Sequence, residues 1–352
     1  MSTNREIRIV TIGGGNGTSI INKSLLNAGV SFIDSIVTVM DSGGVTGRMR
    51  IDSEGKLIAY SDALRNLLSL IDEKSASPQR ISTLIAVLRS RNARQQDLGY
   101  EFFSHFFDQE NNGFSEVQSK LADLTGMKFK GRVIPITLKS ANLVFTTQLG
   151  REYKGEHELD DKRMSKDLVK DMFLTPQVPA YGLAIDAVKN ADFIFFSCGS
   201  LYGSVLCNLL PLGMKEALSQ SQAVKVLVTN LVSTRNETHN FKPLDFVRIF
   251  KKFTGLKKPI DVMVVPKMTR QQFEAKFPET SERYKSEHSF FLGWKENDFR
   301  KAKLEKVKII SHNATYIEPV HLTLRHNPDK LSRTFKKLVA DFNPSRIKED
   351  IR

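Results

Sequence analysis

Short apolar runs alternate with longer amphipathic stretches along the first part of the chain. Residues 8–12 (RIVTI) form a β-branched run that ends in glycines, and apolar residues then recur at near-helical spacing from Ile20 to Leu26. A second apolar run, residues 35–40 (SIVTVM), follows. A strand, a helix and a second strand in this order predict a βαβ unit, in which the two strands are parallel.

The same alternation returns in the second half of the chain. We predict strands at residues 191–197, 225–231, 261–265 and 306–310, and helices at 183–190, 205–218 (broken near Pro211), 246–253 and 330–342. These elements predict an α/β fold, a Rossmann-like, mostly parallel, doubly wound sheet with helices on both faces. We expect a single domain over residues 5–342 and a short basic tail at 343–352.

The segment between these two halves follows other patterns. Helical spacing predicts helices at 62–71 and 80–88. Four phenylalanines between residues 102 and 107 indicate helix core, and a box of aromatic side chains around a cofactor is the alternative. A period of two from residue 132 to residue 158 predicts a β-rich insertion over about residues 130–180.

Glycine-rich and polar loops follow four of the predicted strands. In open α/β sheets, ligands bind beyond the carboxyl ends of the strands, near a switch in strand order. The four loops are GGGNGTS at residues 13–19, DSGGVTGR at 41–48, CGSLYGS at 198–204 and TNLVSTRNET at 229–238. We therefore expect these loops to meet around one ligand.

The first loop has the composition of an anion-binding turn. Its glycines would let backbone amides approach a phosphate, and the helix that follows would add positive potential. A tight turn without a ligand is the alternative, because it would use the same residues. The loop lacks both the GxGxxG spacing of NAD-binding sites and the GK[ST] ending of ATP-binding loops, so we expect neither NAD nor ATPase chemistry.

The second and third loops add side chains that suit a nucleotide. Asp41 directly follows a buried strand, where its carboxylate could bind a ribose hydroxyl or a metal-bound water, although an Asp-initiated turn is the alternative. Ser200 and Ser204 could donate hydroxyl hydrogen bonds to a diphosphate. Cys198 is interpreted as a small residue at a strand end rather than a nucleophile, because no histidine motif accompanies it.

The composition and net charge of the chain limit the classes of partner and cofactor that we expect it to bind. The net charge is +13, and the chain from residue 242 onward carries 25 basic against 14 acidic residues. A phosphate-bearing partner or a solvated face would explain this excess, and nucleic acid is not expected because no aromatic–basic motif occurs. We expect no zinc site, because the chain has only two cysteines and its seven histidines show no HxH or HxxxH spacing. We expect no haem either. The absence of a long apolar run predicts no membrane span and a cytoplasmic protein.

Five motifs in fixed order resemble those of the YvcK/CofD-like family, and the YvcK-like branch is the better match. They are GGGNGTS, TVMDSGGVTGRMR, CGSLYGSVLCNLLP, TNLVSTRNET and RHNPDKL, within residues 7–338. For the YvcK-like branch, the gluconeogenesis factors, the resemblance implies a nucleotide sugar such as UDP-N-acetylglucosamine and a role in carbon metabolism and cell-wall morphogenesis. For the CofD-like branch it implies a magnesium-dependent 2-phospho-L-lactate transferase with a guanosine diphosphate donor and a deazaflavin acceptor.

The resemblance also implies roles for single residues. Asp41 and Asp62 would be catalytic, and Asp41 would be the candidate magnesium ligand. Ser42 stands where the family usually has a second acid. Tyr284 would stack on a base and Arg325 would contact phosphate, whereas a surface aromatic and a surface ion are the alternatives. The candidate nucleotide- and phosphate-binding residues are Gly13, Gly14, Gly15, Asn16, Gly17, Thr18, Ser42, Gly43, Gly44, Thr46, Gly47, Arg48, Asn66, Gly199, Ser200, Leu201, Tyr202, Ser204, Asn208, Asn230, Thr234, Glu237, Thr238, Tyr284 and Arg325.

Two functions stay open at this point. The first is a regulator that binds a nucleotide sugar with little turnover, in which the backbone amides of residues 13–17 and 199–204 hold the diphosphate. The second is a transferase in which Asp41, with Asp62, positions Mg²⁺. A homodimer is compatible with both.

Overall fold

A computed structural model describes residues 6–42, 59–91, 97–107, 114–160, 167–318 and 322–342. The strands of this part are β1 (Ile9–Gly13), β2 (Ile33–Val37), β3 (Gly131–Pro135), β4 (Asn142–Thr147), β5 (Glu152–Lys154), β6 (Val169–Thr175), β7 (Phe193–Phe196), β8 (Val224–Val228), β9 (Val262–Pro266), β10 (Lys308–His312), β11 (Thr315–Glu318) and β12 (Thr323–His326). Seven of them form one parallel sheet in the order β10-β9-β8-β7-β1-β2-β3.

Helices connect and cover these strands. They are α1 (Asn16–Asn27), α2 (Ser61–Ser69), α3 (Pro78–Arg89), α4 (Leu98–Phe106), α5 (Ser115–Thr125), α6 (Gly182–Asn190), α7 (Met214–Gln220), α8 (Pro243–Thr254), α9 (Arg270–Lys276), α10 (Pro278–Ser286), α11 (Glu296–Leu304) and α12 (Pro328–Asp341). None of the helices in the described ranges is long and apolar enough to cross a membrane. The predicted Rossmann-like α/β fold is confirmed.

Helices lie on both faces of the sheet, as the alternation of side chains along β7 shows. Successive side chains of a strand point to opposite faces. Phe195 packs edge-on against Phe335 of α12, with ring centroids 5.1 Å apart, and Phe196 packs against Phe250 of α8 at 4.8 Å. A sheet that is covered on both faces explains why its central strands are continuously apolar rather than alternating.

The strand order switches direction between β1 and β7. From β1 the chain builds outward to β2 and β3, and it then returns to add β7 to β10 on the other side. Ile9 is therefore paired with Ile33 of β2 on one side and with Phe193 of β7 on the other. The loops that follow β1 and β7 leave the sheet side by side, and a crevice opens between them.

The segment predicted as a β-rich insertion over about residues 130–180 is divided between two sheets. Its first strand, β3, is the edge of the main sheet and pairs in parallel with β2. The antiparallel sheet β5-β4-β6 begins only at Asn142. The antiparallel sheet thus starts later than the predicted insertion. The period-two pattern runs on from β3 into the next strands, and it does not reveal that β3 is a buried strand of the parallel sheet. The predicted tail at 343–352 lies outside the described residues.

Candidate functional site

A cleft of about 410 Å³ lies at the switch point, where the predicted loops meet. The predicted residues that line it are Gly14, Gly15, Asn16, Gly17, Asp41, Asp62, Gly199, Ser200, Ser204, Asn230, Thr234, Tyr284 and Arg325. The cleft is also lined by Cys198, Gly203, Leu231, Val232 and His326, which lie in the predicted motifs but were not singled out as ligand-binding side chains. The sequence analysis missed Ile20, Thr38, Arg65, Glu156 and Leu324, which line it as well. Arg65 carried a usable signal, because it stands one helical turn after Asp62.

Other predicted residues lie outside the cleft lining. They are Gly13, Thr18, Ser42, Asn66, Leu201, Tyr202, Asn208, Glu237 and Thr238. Ser42 instead contacts the segment that follows β5, where its Oγ lies 2.9 Å from Nδ1 of His157. Gly43, Gly44, Thr46, Gly47 and Arg48 lie outside the described residues.

The loop after β1 presents an open helix end to the cleft. Helix α1 starts at Asn16, and no side chain in the described part of the chain caps it at Gly15. The first amides of an α-helix have no partner within the helix, and they carry the positive end of its dipole. Gly17 packs so closely on the loop after β7 that a Cβ there would lie 1.6 Å from the carbonyl oxygen of Cys198. Only glycine fits this position without moving one of the two loops.

Two buried asparagines hold this loop from behind. The side-chain amide of Asn66 donates to the carbonyl oxygen of Gly14 at 2.8 Å, and that of Asn208 donates to the carbonyl oxygen of Gly13 at 3.3 Å. Both asparagine side chains are fully buried. They therefore fix the shape of the loop. Neither asparagine lines the cleft, so each would affect a bound ligand only by holding the loop in place.

The loop after β7 is organised by one buried carboxylate. Glu237 is 2% exposed, and its Oε2 accepts the backbone amides of Leu201, at 2.5 Å, and Tyr202, at 3.3 Å. Its Oε1 accepts the hydroxyl of Ser200 at 2.6 Å. Glu237 thus occupies the position that an anionic ligand would take at this turn.

Three further amides of the same loop also have protein acceptors. The amide of Gly199 donates to Oδ1 of Asn230 at 2.7 Å, and that of Gly203 donates to Oγ of Ser200 at 2.8 Å. The amide of Ser204 donates to the carbonyl of Ser200 at 3.1 Å. Acceptors within the protein thus engage the amides of residues 199 and 201–204, which leaves them less available to the predicted diphosphate.

A pair of carboxylates with one arginine forms the floor of the cleft beside the first loop. Asp62 is 7% exposed, and burial, reinforced by the nearby charge of Asp41, raises its pKa to about 6. Two groups oppose this shift: Arg65, whose Nη1 is 3.2 Å from Oδ1 of Asp62, and the backbone amide of Gly15, which donates to the same carboxylate. Ser61 donates its hydroxyl to Asp41 at 3.1 Å. Near neutral pH the pair can therefore hold or release a proton.

The opposite wall comes from β12 and α10. The hydroxyl of Tyr284 accepts the amide of Leu324 at 2.8 Å, and the ring is 9% exposed, so the alternative of a surface aromatic is wrong. Arg325 also lines the cleft, close enough to Cys198 to act on its thiol. Burial nevertheless raises the pKa of Cys198 to about 12, which keeps the thiol protonated and agrees with its interpretation as a small strand-end residue.

A magnesium ion would find two carboxylates here but no closed cage. Asp41 and Asp62 line the same cleft; burial and, after it, the charge of Asp41 raise the pKa of Asp62, and a cation would offset both. Within the described ranges no three acidic, histidine or cysteine side chains are arranged to hold a metal. Mg²⁺ commonly uses one or two carboxylates together with phosphates of a ligand, and the residues fit that mode.

Comparison with known proteins places this chain in a family. The family model described as 2-phospho-L-lactate transferase CofD matches residues 9–314. A protein of Aquifex aeolicus is 31% identical over 278 residues, which cover 74% of this chain and 78% of that one. A gluconeogenesis factor of Listeria monocytogenes is 29% identical over 290 residues, or 79% and 83% of the two chains.

A solved structure of a Bacillus halodurans protein agrees with these matches. It superimposes with a TM-score of 0.77 at 25% identity and covers 94% of this chain and 98% of that chain. The chain belongs to the YvcK/CofD-like family, on the branch of the gluconeogenesis factors.

Proposed function

We propose that the cleft binds a nucleoside diphosphate of the nucleotide-sugar class, such as UDP-N-acetylglucosamine, and that binding lets the protein regulate carbon metabolism and cell-wall morphogenesis. The observation that carries this proposal is the open amino end of α1, which lines the same cleft as Arg325. A diphosphate needs hydrogen-bond donors and positive charge around it, and these two elements supply both.

The charges around the cleft favour a ligand with an anionic centre and neutral ends. Arg65 is engaged by Asp62, whereas Arg325 forms no ion pair with any carboxylate in the described ranges. Asp41 and Asp62 are acceptors that suit the hydroxyl groups of a ribose or a sugar. Tyr284 and Leu231 give the cleft an apolar border where a base could lie.

Calorimetry tests this proposal. We expect UDP-N-acetylglucosamine to bind and UMP, which lacks the second phosphate, to bind at least ten times more weakly. Arg325→Ala should weaken binding of the nucleotide sugar by ten-fold or more, because a charge-assisted contact to phosphate is lost. Arg248→Ala is the matched control, since Arg248 is exposed and pairs with Asp245 on α8. No binding heat and no thermal shift with any UDP compound, or an unaltered affinity in Arg325→Ala, would contradict the proposal.

A second candidate function is transfer of a phospho-linked group from a nucleoside diphosphate to a hydroxyl acceptor. The observation that favours it is the pKa of Asp62, which burial and Asp41 raise to about 6. A carboxylate with this pKa can accept the proton of an attacking hydroxyl near neutral pH. Bound Mg²⁺ would stabilise negative charge on the phosphates.

The transferase candidate has its own test. We expect magnesium-dependent release of a nucleoside monophosphate from a donor, and we expect Asp62→Asn to slow this release at least a hundred-fold. If Asp41→Asn leaves the release unchanged, Asp41 does not hold the metal. If no candidate donor releases a monophosphate while nucleotide sugars still bind, the protein is a binding regulator.

A further inference from the structure

A network of hydrogen-bonded polar side chains crosses the hydrophobic interior between the main sheet and two of its helices. Its members are Thr11 on β1, Ser35 on β2, Asn22 on α1, and Asn66 and Ser69 on α2. All of them except Ser69 are fully buried. Burying a polar side chain costs stability unless its hydrogen bonds are made, so a network of this kind fixes one arrangement of the elements that it joins.

Asn66 is the member of this network that reaches the back of the nucleotide cleft. Its Nδ2 donates to the carbonyl oxygens of Gly14 and Asp62, each at 2.8 Å. Gly14 belongs to the loop after β1, and Asp62 lies in the first turn of α2. Carbonyl oxygens only accept hydrogen bonds, so these two oxygens fix which end of the Asn66 amide faces them. One side chain therefore joins the loop to the helix that carries the buried acid of the cleft.

The amide of Gly15 shows how closely this loop and α2 are matched. It donates to the side-chain carboxylate of Asp62, and both residues line the cleft. A Cβ on Gly15 would collide with Oδ1 of Asp62. Loop and helix thus meet twice, on the floor of the cleft through Gly15 and behind it through Asn66. A change in the orientation of Asn66 would therefore disturb the contact that faces the ligand.

Asn22 orients the amide of Asn66. Its Nδ2 lies 3.1 Å from Oδ1 of Asn66, and the hydroxyl of Ser35 makes a longer contact to the same oxygen, at 3.3 Å. The Oδ1 of Asn22 accepts the hydroxyl of Thr11 at 2.8 Å. The donors from Thr11 through Asn22 to Asn66 therefore all point from the sheet toward the cleft. Reversing either amide would place two acceptors against each other.

We propose that Asn22 is a positioning residue of the nucleotide cleft, although it does not line the cleft itself. By holding Asn66 in one orientation, Asn22 keeps the loop after β1 and α2 in the register in which the amides at the start of α1 and the carboxylate of Asp62 face one ligand. The identity of that ligand rests on the proposed function, whereas the register of loop and helix does not.

Hydrogen exchange of the Gly15 amide in the ligand-free full chain tests this register. Nuclear magnetic resonance of protein labelled at its glycines measures the exchange. Asn22→Leu keeps a side chain of similar size but removes the donor that faces Oδ1 of Asn66. We expect the Gly15 amide to exchange at least ten-fold faster in this variant, because its acceptor on Asp62 is no longer held in place. An unaltered rate in a folded Asn22→Leu protein would overturn the proposal.

Thr254→Val is the matched control, because it removes a buried hydroxyl far from the cleft in sequence and outside its lining. Thr254 ends α8, where its hydroxyl donates to the carbonyl of Phe250 at 2.6 Å and accepts the amide of Leu256 at 3.1 Å. Urea denaturation should show a loss of stability in both variants. We expect Thr254→Val to leave exchange of the Gly15 amide within about two-fold of wild type. Equal acceleration in Thr254→Val and Asn22→Leu would mean that this amide reports only on global stability, and the proposal would fail.

Further variants show whether Asn22 acts through Asn66. Asn66→Ala should itself accelerate exchange of the Gly15 amide, and adding Asn22→Leu should then change the rate less than about two-fold, because the path is already broken. Effects that multiply would overturn the proposal. Ser35→Ala removes only the longer contact to Asn66 and should accelerate exchange about three-fold. If Asn22→Leu does not fold, an unaltered rate in Ser35→Ala would overturn the proposal instead.

Calorimetry with UDP-N-acetylglucosamine separates this role from the proposed function. Asn22→Leu should bind the nucleotide sugar at least ten-fold more weakly than wild type, and Thr254→Val should bind it equally well. If wild type binds no nucleotide, the proposed function fails, while exchange of the Gly15 amide still decides whether Asn22 holds the register. Faster exchange in Asn22→Leu with unaltered nucleotide affinity would show that the register does not serve binding, and would overturn the role of Asn22 in the cleft.

Discussion

Two glycine-rich loops meet at the switch point, and they look alike in sequence but differ in what they offer a ligand. The loop after β1 leads into α1 with an amino end that no described side chain caps. The loop after β7 has its amides bound by Glu237, Asn230 and Ser200. Glycines and a helix start therefore do not by themselves define an anion site, because acceptors from elsewhere in the chain can take the donors first.

The carboxylates beside the two loops differ in the same way. Glu237 accepts three hydrogen bonds at the second loop and is stabilised by them. Asp62 lies beside the first loop, where burial and Asp41 disfavour its charged form. One carboxylate supports the fold, and the other carries an unfavourable charge of the kind that functional sites commonly retain. Removing each charge should therefore have opposite effects on stability.

The largest effect is expected for the contact between the two loops. Gly17→Ala would place a methyl group against the carbonyl of Cys198, and the loops would have to separate. We expect a loss of about 3 kcal/mol in the free energy of unfolding, at the upper end for overpacking a rigid contact. Binding of UDP-N-acetylglucosamine should fall at least a hundred-fold. Urea denaturation and calorimetry measure the two effects.

Gly182→Ala is the control for this substitution. Gly182 begins α6, and no atom lies within 4 Å of a Cβ placed there. We expect its stability to stay the same or rise slightly, since alanine restricts the unfolded chain more than glycine does. A Gly17→Ala protein as stable as the Gly182→Ala protein would show that the two loops are not in rigid contact.

Replacing Glu237 should break the second loop. In Glu237→Gln an amide group replaces one carboxylate oxygen and faces a donor, so at least one buried hydrogen bond is lost. We expect the free energy of unfolding to fall by about 2 kcal/mol, the usual size for a bond to a buried charged group. Glu216→Gln, an exposed change on α7, should have no measurable effect. Equal stability of both variants in urea would refute the role of Glu237.

Replacing Asp62 should have the opposite sign and depend on pH. Its folded pKa of about 6 lies above the unfolded value, so the native state binds more protons between about pH 4 and pH 6. The free energy of unfolding of wild type therefore falls as pH rises through this range. We expect Asp62→Asn to be more stable than wild type by roughly 2 kcal/mol at pH 7.5, with the difference shrinking toward pH 4.5. A difference that does not vary with pH would contradict this assignment.

The sequence predicts the parallel sheet and the convergence of its loops well, because both depend on local patterns. Apolar runs fix the strands, and the carboxyl ends of parallel strands share one edge of the sheet. The sequence does not show which amides stay available. The availability of the amides in the second loop depends on Glu237, which lies 36 residues from Leu201 in the sequence and accepts its amide. The edge strand β3 was assigned to the insertion because its place in the main sheet depends on pairing with distant β2.

Residues on the far wall of the cleft illustrate the same limit. Arg325 and Tyr284 were reached only through the resemblance to a family, since Arg325 begins the family motif RHNPDKL and no glycine-rich loop or buried strand precedes either residue. Their elements, β12 and α10, were not predicted at all, because both are short and rich in charged or polar residues. Tertiary packing places them, with the hydroxyl of Tyr284 holding the amide of Leu324.

Replacing Ser200 should have the smallest effect on stability. It also tests whether the Ser200 side chain contacts the ligand or only caps the second loop. Its hydroxyl oxygen accepts the amide of Gly203, and its proton goes to Glu237. We expect Ser200→Ala to lower the free energy of unfolding by about 1 kcal/mol, the usual cost of losing a cap. Affinity for UDP-N-acetylglucosamine should change less than three-fold, because both hydrogen-bonding functions of this side chain are used inside the protein. A ten-fold loss of affinity without a loss of stability would mean that Ser200 turns toward the ligand, and that the second loop binds as the first does.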